Sequence, residues 1–381
     1  MRTKAFYRPV IRWKQGERRA LASLTDHSRR VLTPIIEPVR SCYGPRNGEL
    51  KAESGVTDRL IAEQINEVWG VHPFFIDCRS LPYWVNNKSP TCSTAGICDA
   101  ANALGLNPIP VIGRNDERTY REIGASNSSR ARGICLRLDL VDLDLPGIAD
   151  ELARILKVVG LSRRRIDLIV DYGAWYEGHP RVADLLGRVV GAEPWRSVTV
   201  LRGSFPRDLA DIREGLHSLH RREWHSWAEQ AAEPAMSREV ISFGDYTTQH
   251  AVFGEPPDGC NPSVSVRYAT EDAWLICRGQ GIKQGGADQW TGHARMLAEH
   301  PDVIRLGAAF SAGSRYVYEH CDEDIGTGNF STWLQAGVNQ HLELVAKQVA
   351  QIVRAVEGAP NRRVGSIARL PVAASSPRRE G

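Results

Sequence analysis

The sequence predicts a (β/α)8 barrel, a TIM-like α/β fold in which eight parallel strands close on themselves. Three observations carry this prediction. Eight short apolar segments recur along the 381 residues, most of them end in a charged side chain, and a helical pattern follows most of them. Alternation of strands and helices is typical of a parallel sheet, and eight such units close a barrel. Because functional groups of such barrels lie at the carboxyl ends of the strands, the fold also predicts where the site is.

The strand candidates are, in order, VIRWK, PIIEP, FFIDCR, PIPVIGRND, GICLRLD, IDLIVD, SVTVLRG and EVISFGDY. Helical patterns follow, beginning with QGERRALASL and with TDRLIAEQINEVW, where Thr57 is a candidate N-cap. The amphipathic GIADELARILKVVG ends at Gly160, a residue suited to a C-cap. A long seventh helix is predicted over residues 208–230, with Trp224 and Trp227 packed against the core.

The alternation changes beyond the eighth strand. SVSVRYAT and AWLICRG predict an antiparallel β-hairpin, inserted at about residues 263–279 between strand eight and its helix. FSTWLQAGVNQHLELVAKQVAQIVRAV predicts a long C-terminal helix. We therefore expect one domain over residues 1–357, followed by a flexible tail over residues 358–381 that is rich in Arg, Pro, Ser and Ala.

Bulk composition limits the classes of function. Lys and Arg number 48 against 45 Asp and Glu, and the net charge of +3 is far from that of a nucleic-acid coat protein, although a local basic cleft is compatible with it. No apolar run reaches the roughly 18 residues of a membrane span, and the first residues do not form a secretory signal. We expect a cytoplasmic protein without a membrane partner. The eight cysteines are dispersed, which favours buried thiols over a disulfide framework.

Charged side chains at the strand ends predict a mixed acidic and basic mouth. The candidate catalytic acids are Glu37, Asp77, Asp139, Asp171 and Asp245. The candidate substrate-binding residues are Lys14, Arg79, Arg114, Arg137, Arg202, Tyr246, Tyr268 and Arg278. Asp77 and Arg79 are two residues apart, and alternate residues of a strand face the same side. Several of these side chains should therefore share one pocket.

Carboxylates gathered in this way hold a hard cation such as Mg²⁺, or divide general acid and base roles when their pKa values differ. Glu37, Asp77 and Asp171 are the candidate metal ligands. Arginines beside them suit a phosphate, because the guanidinium offers a planar fork. The combination favours an anionic substrate, a nucleotide or nucleic acid, and a metal-dependent phosphoester hydrolase. In the alternative interpretation, Arg–Asp pairs form an ion-paired layer that only closes the barrel interior.

Familiar catalytic signatures are absent from the sequence, which contains no Walker-type phosphate loop, GxSxG elbow or HExxH motif. We interpret the histidines of GLHSLHRREWH as a solvated helix face, and His341 on the last helix as packed against the barrel. Paired carboxylates also serve glycoside hydrolysis, with Trp84, Trp175 and Tyr176 as candidates for sugar stacking. This interpretation ranks below the phosphate one.

The segments YRPVIRWKQGERRALASL, LTPIIEP, FFIDCR, SVRYATEDAWLICRG and TWLQAGVNQHLELV together resemble the Beta protein family of phages and prokaryotes. The likeness extends over most of the chain, to about Val356. It implies a single-domain protein that is phage-associated or encoded near mobile and defence genes, and it implies no settled activity. The family-like positions are Lys14, Gly16, Glu17, Glu37, Asp77, Tyr268, Arg278, Gly279, Trp333 and His341.

Two functions of different classes follow. The first is a phage- or defence-associated barrel enzyme that acts on a phosphate-bearing substrate at the mouth. The second is a non-catalytic recognition protein that binds a phage or host protein there, with contacts from Tyr246, Tyr268 and residues 254–262.

Overall fold

The computed structural model describes residues 7–39, 54–81, 92–126, 131–189, 194–231, 241–254 and 259–357. Eight parallel strands form a closed barrel: β1 (Tyr7–Arg12), β2 (Ile35–Glu37), β3 (Phe74–Ile76), β4 (Pro108–Ile112), β5 (Ile134–Asp139), β6 (Ile166–Ala174), β7 (Ser197–Gly203) and β9 (Ile241–Asp245). Between β7 and β9 the chain forms β8 (Gly215–His220), which belongs to a second sheet. Strand β9 pairs with β7 on one side and with β1 on the other. The predicted fold class and all eight strand candidates are confirmed.

Helices follow the strands along the chain. They are α1 (Gln15–Ala22), α2 (Asp26–Val31), α3 (Ser54–Val68), α4 (Thr94–Ala103), α5 (Glu117–Ala125), α6 (Leu140–Leu143), α7 (Ile148–Val159), α8 (Val182–Val189), α9 (Arg222–Ala231), α10 (Ile282–Gly285), α11 (Gln289–Ala298), α12 (Pro301–Leu306), α13 (Ala312–Glu319) and α14 (Phe330–Glu357). Helix α7 ends at Gly160, whose φ of 71° is the left-handed conformation expected of a glycine cap. Helix α3 begins three residues before Thr57, so the predicted cap at this threonine is wrong.

The predicted hairpin is confirmed, and it belongs to a three-stranded sheet. Strands β10 (Ser263–Ala269) and β11 (Ala273–Gly281) pair antiparallel, and β8 pairs antiparallel with the other edge of β11. The single helix predicted over residues 208–230 is therefore wrong. Gly215 has a φ of 110°, a conformation that only glycine adopts without strain and that no helix contains. The helix is confined to α9, where Trp224 and Trp227 are buried as expected.

The barrel interior is filled in layers. Apolar side chains form the middle layer, which consists of Val10, Ile35, Phe75, Ile109, Val111, Cys135, Ile169 and Leu201, with Tyr246 above them. At the amino-terminal end, Arg8 donates to Ser197 Oγ at 2.7 Å and lies 3.6 Å from Asp167. This polar layer lies across the amino-terminal end, so the interior is a packed core and not a pore.

Helix α14 confirms the predicted long C-terminal helix and packs against α1, α2, α13 and β10. Gly16 allows the close approach of α1, since a Cβ atom at this position would lie 2.6 Å from the carbonyl oxygen of Ser331. Among the described residues, no helix combines the length and apolar character needed to cross a membrane. The predicted tail, residues 358–381, lies outside the described residues.

Candidate active site at the barrel mouth

Arg137 is the centre of a buried charged network at the carboxyl ends of the strands. Its Nη1 donates to Glu37 Oε1 at 2.7 Å and to Asp77 Oδ2 at 2.8 Å, and its Nη2 donates to Asp171 Oδ2 at 2.7 Å. Tyr246 donates to Asp171 Oδ1 at 2.5 Å and accepts from Arg137 Nη2 at 3.1 Å. The guanidinium of Arg137 thus joins side chains from the ends of β2, β3, β5 and β6 with that of the residue after β9.

Arg79 extends this network toward solvent. It forms a bidentate pair with Asp77, with Nε 3.0 Å from Oδ1 and Nη2 3.0 Å from Oδ2. Its Nη1 donates to the carbonyl oxygen of Arg137 at 3.3 Å. We call Glu37, Asp77, Arg79, Arg137, Asp171 and Tyr246 the mouth cluster. In it, the Arg79 side chain is the most open, at 27% exposure against 1% for Asp77.

Two glycines make room for the large side chains of the mouth cluster. A Cβ atom on Gly113, just after β4, would lie 3.1 Å from Cδ of Arg79. A Cβ atom on Gly203, at the end of β7, would lie 2.9 Å from Cδ2 of Tyr246. The absence of a side chain at each glycine therefore leaves space for the large side chain that lies over it, Arg79 over Gly113 and Tyr246 over Gly203.

Arg12 and Glu17 join the network on the side of β1. The Nε of Arg12 is 4.0 Å from Glu37 Oε2, and its Nη2 donates to the carbonyl oxygens of His250 and Ala251 at 2.7 and 2.9 Å. Glu17 Oε1 accepts from the Arg12 backbone N–H at 3.2 Å and from Gln249 Nε2 at 2.7 Å. Within the described residues, the other oxygen of Glu17 is buried and accepts no hydrogen bond of ordinary geometry.

Two further predicted cations lie at the rim of the mouth. The Nζ of Lys14 lies over the Phe253 ring, 4.4 Å from its centroid. Arg114 pairs with Asp142 at 2.7 Å, and both side chains are partly exposed. A small open pocket lies beside Arg79 and is lined by Cys78, Arg79, Leu81, Cys92, Ser93, Thr94, Asp116, Arg118, Thr119 and Glu122.

The environment drives the pKa values of the mouth carboxylates apart. Burial raises the pKa of Glu37 and the nearby Asp77 raises it further, while Arg137 lowers it only in part. Burial also disfavours the ionised form of Asp77, but Arg79 and Arg137 outweigh burial and hold the pKa of Asp77 well below its usual range. Burial raises the pKa of Glu17 to about 7. Tyr246 has a raised pKa because it is buried and lies beside Asp171.

The three candidate metal ligands do not fit a metal in this arrangement. Arg137 occupies the space between Glu37, Asp77 and Asp171, and it hydrogen-bonds to an oxygen of each. Both oxygens of Asp77 and both of Asp171 accept hydrogen bonds from protein groups. Within the part of the chain that the structure describes, no group of three or more His, Cys, Asp or Glu residues is arranged to hold a metal ion.

Five predicted site residues lie away from the mouth cluster. Asp139 caps α6, where its Oδ1 accepts from the Asp142 backbone N–H at 2.8 Å. Asp245 faces outward and accepts hydrogen bonds from Tyr7 at 2.9 Å and, with its other oxygen, lies 2.7 Å from Nε2 of His341. The others are Arg202 against α9, Tyr268 against Ser314 of α13, and Arg278, which donates to the carbonyl oxygen of Ile212.

Sequence reasoning missed the role of Arg12 and singled out Glu17 only as a family-like position, without placing it at the mouth. The alternation of β1 could have found Arg12, since Val10 faces the interior and the residue two positions later shares that side. The partner Gln249 gives no such signal, because it follows β9 in a loop and reaches Glu17 only in the folded barrel.

Comparison with known proteins agrees with the resemblance seen in the sequence. The model of the Beta protein family matches residues 7–347, which is most of the chain. No curated protein and no solved structure matches the chain. The mouth cluster and the glycines that accommodate it all lie within the matched residues, and the chain belongs to the Beta protein family.

Proposed function

We propose that this protein is an enzyme that acts on a phosphate-bearing substrate, a nucleotide or nucleic acid, at the barrel mouth. The meeting of Glu37, Asp77 and Asp171 on Arg137 carries the proposal. Catalytic groups of (β/α)8 enzymes come from the ends of several strands, as these do. Burying ionisable groups is costly, and a cluster with pKa values shifted in opposite directions is typical of a functional site.

Glu37 is the proposed acid–base residue. Its Oε1 is held by Arg137, whereas Oε2 accepts no hydrogen bond from the described residues and lies 4.0 Å from Nε of Arg12. The raised pKa of Glu37 suits proton exchange, and the lowered pKa of Asp77 keeps that carboxylate ionised. Asp77 would then fix Arg79 and Arg137 in place while Glu37 gives and takes the proton.

Arg79 is the proposed anchor for the phosphate. Asp77 holds its Nε and Nη2, and the partly exposed side chain borders the pocket that also contains Ser93, Thr94 and Arg118. A guanidinium held at one edge offers its remaining N–H groups to an anion without further ordering. Lys14 and Arg114 would extend this positive rim.

The proposal includes a phage- or defence-associated role, which the resemblance to the Beta protein family implies, and a location in the cytoplasm. Within the hydrolase class, we propose phosphoester cleavage by acid–base catalysis. Glu37, Asp77 and Asp171 serve this reaction as ion-paired side chains and do not act as ligands of Mg²⁺.

The test is turnover by the purified protein of bis-(p-nitrophenyl) phosphate, nucleoside triphosphates and a single-stranded oligonucleotide. We expect Glu37→Gln to lower kcat by about 100-fold or more and to remove one limb of the pH–rate profile. Arg79→Gln should raise KM. Glu63→Gln is the matched control, because Glu63 forms an exposed pair with Arg59 on α3 and should leave turnover unchanged. Equal turnover by Glu37→Gln and the wild type would contradict the proposal.

One observation favours a second candidate, a non-catalytic recognition protein. The mouth carboxylates are already paired with arginines, and such a layer can serve as a rigid platform for a phage or host protein. Tyr268 is 1% exposed, so a partner would contact the rim of the mouth instead of this residue. Binding of a protein partner without turnover, retained in Glu37→Gln, would identify this function.

A further inference from the structure

Arg202 is a buried cation for which the described residues provide no counter-ion. It is 1% exposed on the outer side of β7, and its Nη1 donates to Ser226 Oγ of α9 at 2.6 Å. Within the described residues, its Nε and Nη2 are buried without a hydrogen bond of ordinary geometry, and it forms no ion pair; burial lowers the pKa of Arg202, and the nearby Tyr172 hydroxyl offsets this only in part. The guanidinium stacks on Tyr172, 3.7 Å from the ring centroid, which offsets part of the cost of burying the charge.

The side chains around Arg202 add further unsatisfied nitrogens. Both ring nitrogens of His179 and the indole Nε1 of Trp175 are buried, and none of the three has a hydrogen-bond partner in the part of the chain that the structure describes. His179 lies among three aromatic rings, with centroid distances of 5.2 Å to Tyr172, 5.4 Å to Trp175 and 3.8 Å to Tyr176. Tyr176 is 52% exposed, so it covers His179 from the solvent side.

Most of these atoms are hydrogen-bond donors. Arg202 and Trp175 can only donate, whereas His179, whose pKa burial and Arg202 lower to about 4, is neutral near pH 7 and donates from one ring nitrogen; it would donate from both once an anion beside it favoured the protonated ring. Buried polar groups in native proteins are almost always paired, so several unpaired donors together indicate a missing acceptor. An oxyanion has the charge and the number of lone pairs that such donors require.

We propose that Arg202, His179 and Trp175 form a binding site for a phosphate group, with Tyr176 as its cover. The site is distinct from the mouth cluster. Leu201 faces the barrel interior and its neighbour Arg202 faces outward, so β7 separates the two sites. They are adjacent all the same, because the Trp175 backbone N–H donates to the carbonyl oxygen of Gly203 at 2.7 Å.

The experiment measures the melting temperature against inorganic phosphate, at ionic strength held constant with NaCl, and repeats the titration with a nucleoside monophosphate. A ligand that binds the folded state raises the melting temperature. We expect a rise with the wild type and a Kd at least tenfold weaker in Arg202→Gln. Arg163→Gln is the matched control, since Arg163 also stacks on an aromatic ring, that of Trp195 at 4.7 Å, but donates to a backbone carbonyl oxygen. A response to the monophosphate alone assigns the site to a nucleotide, and a response to both ligands assigns it to the phosphate group.

The variants separate this site from the proposed active site. If Arg202→Gln binds phosphate like the wild type and Arg79→Gln does not, the phosphate belongs to the mouth and the inference is overturned, while the proposed function stands. If Arg202→Gln does not fold, the imidazole nitrogen signals of His179 in the wild type decide. Phosphate should shift these signals, because it would raise the low pKa that burial and Arg202 impose on the ring. Unchanged signals, or no change in melting temperature with either ligand, would refute the site.

Discussion

Replacing Arg137 with glutamine removes the cation on which the mouth cluster is built. Arg137 is 5% exposed and contacts Glu37, Asp77 and Asp171 at 2.7 to 2.8 Å. Asp77 keeps Arg79 as a partner, whereas Glu37 and Asp171 lose their closest cation. Removing one partner of a buried ion pair costs about 3–5 kcal/mol, and we expect a loss of unfolding free energy in this range at pH 8.

The unfolding free energy lost on replacing Arg137 should increase as the pH rises. Arg137 lowers the pKa of Glu37, whereas burial and Asp77 raise it. Without Arg137, the pKa of Glu37 in the folded state therefore rises further above its unfolded value. The folded variant would bind a proton that the unfolded chain does not, so its stability decreases as pH rises from about 4.3 through the folded pKa. The substitution should therefore cost less at pH 5 than at pH 8.

Urea unfolding followed by tryptophan fluorescence, at pH 5 and pH 8, measures both quantities. Arg59→Gln is the control, because the exposed pair of Arg59 with Glu63 contributes less than about 0.5 kcal/mol. A cost for Arg137→Gln below about 1 kcal/mol at pH 8, or the same cost at both pH values, would refute this account of the mouth cluster.

Three further substitutions test the packing around the site. Gly203→Ala should cost about 1–3 kcal/mol in urea unfolding and weaken substrate binding, because its Cβ would displace the Tyr246 ring. Gly16→Ala should lower the melting temperature by several degrees, since its Cβ would meet a backbone oxygen of α14; a melting temperature equal to the wild type would contradict the close contact. Asp245→Asn should cost about 1–3 kcal/mol by removing the charged acceptor of His341, and a histidine nitrogen signal unchanged from the wild type would show that this bond is not formed.

The sequence predicted the barrel well because strand and helix periodicity are local signals. It also predicted the centre of the mouth cluster. Asp77 and Arg137 each lie two residues after another inward-facing position, and this spacing can be read from the sequence. It could not predict β8, because that strand pairs with β11, and GLHSLH alone has helical as well as strand-like spacing.

The parity of strand ends explains why other candidates lie elsewhere. At the end of a strand, the side chain of one residue faces the barrel interior and that of the next faces the helices. The sequence alone does not fix which residue of each strand lies at the barrel mouth. Arg202 follows the inward Leu201 and therefore faces α9. Arg12 and Lys14 are two residues apart, but β1 ends at Arg12, and it is Arg12 that lies beside Glu37.

Strand β9 connects the mouth to the last helix through two consecutive residues. Asp245 points outward to His341 of α14, and Tyr246 points inward to Asp171 and Arg137. The family-like position of His341, interpreted from the sequence as packed against the barrel, thus contacts the residue directly before Tyr246, whose hydroxyl is hydrogen-bonded to both an acid and the central arginine of the candidate active site.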